Sequence, residues 1–141
     1  MNRVISIFHY IPTVMVLAAI LYLSLAPNPV PDTGGFFDFP GSDKIVHAIM
    51  YMGLTFIFCF DYYRHTPVKY EKYDSRTMLA VFIAAIIIGG VIEVLQQAMH
   101  MGRSGDIYDF ISDAIGAAIG IGLGVWIIKP FFLSRQAKTA H

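Results

Sequence analysis

Charge is scarce in this chain. Only 14% of its 141 residues are Asp, Glu, Lys or Arg, while 56% are hydrophobic, and the mean hydropathy is +0.60. A soluble domain averages about 25% charged residues, so the composition argues against a water-soluble globule and for an integral membrane protein, read as one domain over residues 1–141. Ten acidic residues balance ten basic ones. That balance says little by itself, the distribution of charge says more, and no nucleic-acid partner is expected. One cysteine, Cys59, excludes an intrachain disulfide and a metal site built on thiolates. It lies in the apolar run Phe56–Phe60, where a small buried hydrophobe is its simplest role. No serine or cysteine stands in an evident nucleophile motif, and no internal repeat is found.

What the chain does have is long apolar runs. Four stretches, 4–26, 43–60, 77–99 and 108–128, have the length and character of bilayer spans, which need about 20 mainly apolar residues. The first is too long for the core of a signal peptide, and Pro27 follows the small-x-small site, so a retained helix is expected. Pro12 lacks a backbone donor and predicts a kink in it. Eight of the ten Lys and Arg fall at one end of the four runs: Arg3, Arg64, Lys69, Lys72, Arg76, Lys129, Arg135 and Lys138. The positive-inside rule then places both termini in the cytoplasm. The resulting fold class is all-α: a four-transmembrane-helix bundle, N-in and C-in. Residues 61–76 read as a charged cytoplasmic loop with interfacial Tyr62, Tyr63, Tyr70 and Tyr73. Residues 27–42, rich in Pro and Gly, read as an outer connection whose Phe36, Phe37 and Phe39 suit the headgroup boundary.

The acids gather at the other end. Ser42 is a suitable N-cap for the second run, and Asp43 complements its positive end. Asp43, His47 and Tyr51 follow at intervals of four, on one face. Glu93, Gln96, Gln97 and His100 share a face of the third run. Asp106, Asp109 and Asp113 share a face of the fourth, with Gly116, Gly120 and Gly124 below them as a stripe for close helix packing. At 1.5 Å per residue, His47 lies about 6 Å below Asp43 and Asp113 about 10 Å below Asp106, so these groups can meet in one layer. A lone carboxylate inside a span costs about 2.5–3.5 kcal/mol even on a mild scale. Glu93 and Asp113 therefore call for partners or a wet pocket. Arg103, on the short turn before Asp106, is the expected cation, and its fork suits a carboxylate or phosphate.

These residues resemble a known family. Asp43-Lys44-Ile45-Val46-His47 followed by Tyr51 resembles the D-K-x-x-H-x-x-x-Y signature of the VanZ-like membrane proteins. Glu93-Val94-Leu95-Gln96 is similar to their E-x-x-Q. Arg103, Asp106, Asp109, Gly116 and Gly120 are similar to their R-x-x-D-x-x-D-x-x-x-N-x-x-G-x-x-x-G pattern. Asp113 departs from it, standing where the family usually has Asn, so a purely amide role does not carry over to this position. The resemblance implies a four-helix protein of the bacterial inner (cytoplasmic) membrane, with a link to resistance to teicoplanin-type glycopeptides in the founding member.

The reading that follows is a multi-pass membrane protein with an outward polar pocket that binds or processes an anionic envelope component, a lipid-linked headgroup being the natural candidate. Were there catalysis, His47 and Glu93 would be the acid/base pair. Arg103 would clamp the anion, with Asp43, Tyr51, Gln96, Asp106, Asp109 and Asp113 binding or orienting. No cofactor is expected: the acids and His47 offer ligands for a divalent cation, but Arg103 would neutralise the same acids. The alternatives are a transporter or ion relay, and a polar layer that only locks the helices of a structural subunit.

Overall fold

The computed structural model describes residues 7–26, 40–66, 74–99 and 106–139. The expected aromatics Phe36, Phe37 and Phe39, the loop residues Lys69, Tyr70, Lys72 and Tyr73, and Arg3, His100 and Arg103 lie outside them. Among the described residues there are helices and no strands. A short 3₁₀ turn, Ile7–Tyr10, leads into α1 (Ile11–Leu25). Then come α2 (Ser42–His65), α3 (Asp74–Met99) and α4 (Ile107–Leu123). A π-helical turn, Gly124–Ile128, joins α4 to α5 (Lys129–Thr139). Four helical stretches are long and apolar enough to cross a membrane. The protein is thus an all-α, multi-pass membrane protein.

Local chemistry explains several boundaries that differ from expectation. Pro12 stands in the first turn of α1, where its missing N–H would have been unpaired anyway, so it starts the helix instead of kinking it. Gly41, at φ 89°, is the N-cap of α2, a left-handed conformation glycine adopts without strain, and Ser42 is the first helical residue. Pro130, early in α5, cannot donate a hydrogen bond to the carbonyl one turn back, and the wide turn just before it absorbs that defect.

The expected charged loop 61–76 is shorter than its sequence suggested. Asp61–His65 complete α2, and Asp74–Arg76 open α3. Asp61 and Asp74 are buried, 1% and 7% exposed. Asp61 Oδ2 accepts from the Thr13 N–H at 3.1 Å and the Thr13 hydroxyl at 2.7 Å. It thereby satisfies a donor at the N-terminus of α1 and complements that helix's positive end. Asp74 pairs with Lys129 Nζ at 3.1 Å and accepts from the Tyr62 hydroxyl at 3.1 Å. Tyr62 and Tyr63 are buried beside Cys59 and Met78. His9 and His65 stack with centroids 4.1 Å apart.

The glycine stripe sets the packing. A Cβ on Gly116 would collide with the Ala48 carbonyl, and one on Gly120 with the Met52 carbonyl and Thr55. A Cβ on Gly124 would collide with Cys59, whose side chain is fully buried. Only glycine lets α2 and α4 run parallel at this distance. The Thr55 hydroxyl, 3.0 Å from the Ala117 carbonyl, ties them further. α1 and α3 run the other way: Thr13 meets Asp61 at one end of the bundle and Gln96 meets Ser24 at the other. An apolar core of Ile20, Tyr51, Leu54, Ala85, Ile92 and Ala117 lies between. Ile49, Ile87, Val94, Ile115 and Trp126 are exposed on the outer faces, where lipid is the fitting solvent.

Candidate functional site

The starts of α2 and α4 and the end of α3 meet at the acidic end of the bundle, and two layers of ionisable groups result. The upper layer centres on Lys44. Its ammonium lies 3.1 Å from Asp43, 3.0 Å from Asp106 and 3.4 Å from Asp109. Asp106 is the N-cap of α4 and accepts from the Tyr108 N–H at 2.9 Å. That hydrogen bond, with Lys44 beside it, holds the Asp106 carboxyl below the ordinary carboxylate range. Asp43, Asp106 and Asp109 each bring a carboxylate oxygen within 4.8 Å of the others. Asp43 is largely exposed and Asp109 is nearly buried.

The lower layer is buried. His47 Nδ1 stands 2.9 Å from Asp113 Oδ1. Glu93 Oε2 accepts the Asp106 N–H at 2.8 Å, so α3 holds the first residue before α4. His47, Glu93 and Asp113 each offer one ligand atom within 4.8 Å of the others. Each carboxylate has one oxygen committed and one without a hydrogen-bond partner among the described residues: Glu93 Oε1 and Asp113 Oδ2. The Tyr51 hydroxyl, on a side chain 1% exposed, also lacks one. Gly89 leaves room for both groups. A Cβ there would stand 2.9 Å from Asp113 Oδ2 and 3.4 Å from the Tyr51 oxygen.

Electrostatics make this layer unusual. Two ionised carboxylates held within 4.8 Å of each other repel by about 3.5 kcal/mol or more at an effective dielectric of about 20. A positive group in the same space would offset that repulsion.

The sequence-predicted residues therefore divide. His47, Tyr51, Glu93 and Asp113 come together, and Asp43, Asp106 and Asp109 come together just above them. Gln96 turns elsewhere: its amide donates to the Ser24 carbonyl at 2.9 Å, satisfying an orphan acceptor at the end of α1. Arg103 lies outside the described residues. Lys44 is a counter-ion of the upper layer, the kind of role expected of Arg103. That role was missed, although Lys44 and Arg103 are the only Lys or Arg at this end.

A cavity of about 310 Å³ opens between α3 and α4 beside the two layers. It is lined by Gly90, Glu93, Val94, Gln97, Ile107 and Phe110, with Asp106 at its rim. Val94 and Ile107 are about two-thirds exposed, so the groove opens on the outer face of the bundle. Its walls are apolar, and Glu93 joins it to the buried layer.

No curated protein and no solved structure matches the chain. A family match does exist, over residues 2–129, and it spans both layers, the groove and the glycine stripe. The chain belongs to the VanZ/LLP1 family.

Proposed function

We propose that the acidic end of the bundle binds the headgroup of an anionic amphiphile of the bacterial envelope, entering sideways from the membrane. The groove between α3 and α4 carries this reading. Apolar walls at Val94, Ile107 and Phe110 suit a chain, and Glu93 and Asp106 suit a polar head. In this proposal the acidic end faces outward and both termini are cytoplasmic in the inner membrane, because Arg64, Arg76, Lys129, Arg135 and Lys138 lie at the opposite end. A bare anion would meet five carboxylates and one lysine, so its charge has to be met by a cation. Arg103, on the α3–α4 connection, is one source. A relay through the bilayer is the weaker reading. Between His47 and Asp61, Arg76 and Glu93, and Asp113 and Lys129 the helices carry no charged residue.

Gly90→Leu tests the proposal. Gly90 faces the groove, and a Cβ there has room, its nearest neighbour being Phe110 Cε2 at 3.5 Å. The leucine should fill the groove without unfolding the helix. Native mass spectrometry would be run with phosphatidylglycerol and with a polyprenyl phosphate as separate probes. Binding of at least one by the wild type, lost in Gly90→Leu at unchanged thermal stability, supports the reading. Equal binding by both proteins refutes it.

A further inference from the structure

We infer that His47, Glu93 and Asp113 form a buried site for a divalent cation of the manganese or zinc class, with the Tyr51 hydroxyl at its edge. Three helices supply the ligands: α2 the imidazole and the phenol, α3 and α4 one carboxylate each. The ligand atoms of His47, Glu93 and Asp113 lie within 4.8 Å of one another. Zinc takes nitrogen and oxygen ligands at roughly 2.0–2.2 Å, so small side-chain shifts would bring three atoms gathered this closely onto one ion.

The second observation is independent of the cluster itself. Tyr51 is 1% exposed and its hydroxyl has no partner among the described residues. It stands against the same missing side chain, Gly89, as the unpartnered Asp113 Oδ2. A buried polar atom without a partner is costly. Here the phenol and Asp113 Oδ2 share that condition beside Gly89, Glu93 Oε1 shares it on the third member of the cluster, and a cation among them would offer each a partner. The imidazole favours a transition metal over magnesium or calcium, which prefer oxygen alone. The Glu93 Oε2 bond to the Asp106 N–H orients that ligand, as outer hydrogen bonds do in metal sites.

This deepens the reading above, because a metal beside Glu93 at the end of the groove would supply the positive charge that an anionic headgroup requires; the binding of the ion itself does not depend on that role. The experiment therefore separates the two. Detergent-purified, EDTA-stripped protein is titrated with Mn²⁺ and followed by electron paramagnetic resonance of the free ion, with Zn²⁺ as competitor and no lipid added. One ion per chain is expected. Glu93→Gln and Asp113→Asn should each weaken binding at least tenfold. Gly89→Ala removes no ligand but puts a methyl 2.9 Å from Asp113 Oδ2, and should weaken binding as well. No uptake at millimolar Mn²⁺ by folded wild type overturns the inference. So does an ion lost in Asp43→Asn and kept in Glu93→Gln, which moves it to the upper layer. Repeating the lipid measurement with and without Mn²⁺ then decides the role. Lipid binding that needs the ion supports it, and lipid binding unchanged by EDTA removes it while leaving the headgroup reading intact.

Discussion

Replacing Asp113 by Asn and by Ala should give opposite results, and the difference follows from the buried layer. Both changes remove a charge that stands within 4.8 Å of Glu93, and so both relieve a repulsion of about 3.5 kcal/mol at an effective dielectric of about 20. What distinguishes them is the 2.9 Å contact with His47 Nδ1. Asn keeps an acceptor there. It exchanges a charge-assisted bond of about 1.5–3 kcal/mol for a neutral one of about 0.5–1.5 kcal/mol. Ala leaves the imidazole nitrogen unpaired, at about 1–3 kcal/mol, and opens a void costing about 1 kcal/mol more. Asp113→Asn is therefore expected to be at least as stable as the wild type, and Asp113→Ala about 2–4 kcal/mol less stable than Asp113→Asn. The assay is unfolding in mixed micelles by increasing SDS, with EDTA present so that a bound ion does not contribute. Equal stabilities for the Asn and Ala variants would show that the His47 contact carries no weight. A large loss in Asp113→Asn would show that the carboxylate charge is itself needed by the fold.

Other expectations follow from the helix contacts. Gly116→Val should destabilise by about 3 kcal/mol or more, because a Cβ already collides with the Ala48 carbonyl and backbone cannot yield; Gly122→Val, with nothing within 4 Å of its Cβ, is the matched control and should not lower the SDS midpoint. Asp61→Ala should cost about 1–2 kcal/mol in the same assay by removing the partner of the Thr13 N–H and hydroxyl. Reporter fusions at Gln136 and within residues 27–42 should label opposite sides of the membrane, the former cytoplasmic, and the same side for both would move the acidic end to the cytoplasm.

Much of this was legible in the sequence for a physical reason. Carboxylates inside apolar runs are expensive, so Glu93 and Asp113 announced a shared environment, and helical spacing placed His47 opposite them. The glycines at intervals of four announced the close approach of α4 to a neighbour. The signals failed where the geometry is not periodic. Asp61 and Asp74 lie just beyond the apolar runs, in residues rich in charge and tyrosine, and read as solvent-exposed; their burial depends on Thr13 and Lys129, distant in sequence. Gln96 shares a face with Glu93, yet its amide reaches an orphan carbonyl at the end of α1. A long flexible lysine beside Asp43 gave no pattern to read, and only the fold brings Asp106 and Asp109 to it. Ser42 looked like a cap, but a glycine in the left-handed region one residue earlier took that position.

Entry of a lipid headgroup through the groove between α3 and α4 is open to one direct measurement. A benzophenone amino acid placed at Val94, on the groove wall, is compared in native bacterial membranes with one at Trp126. Trp126 is 77% exposed and lies toward the basic end of the bundle. After irradiation, mass spectrometry of the adducts should show a phosphate-bearing lipid enriched at Val94 over Trp126, with the enrichment lost in the Gly90→Leu background. The same bulk phospholipid adducts at both positions, unaffected by Gly90→Leu, would contradict it.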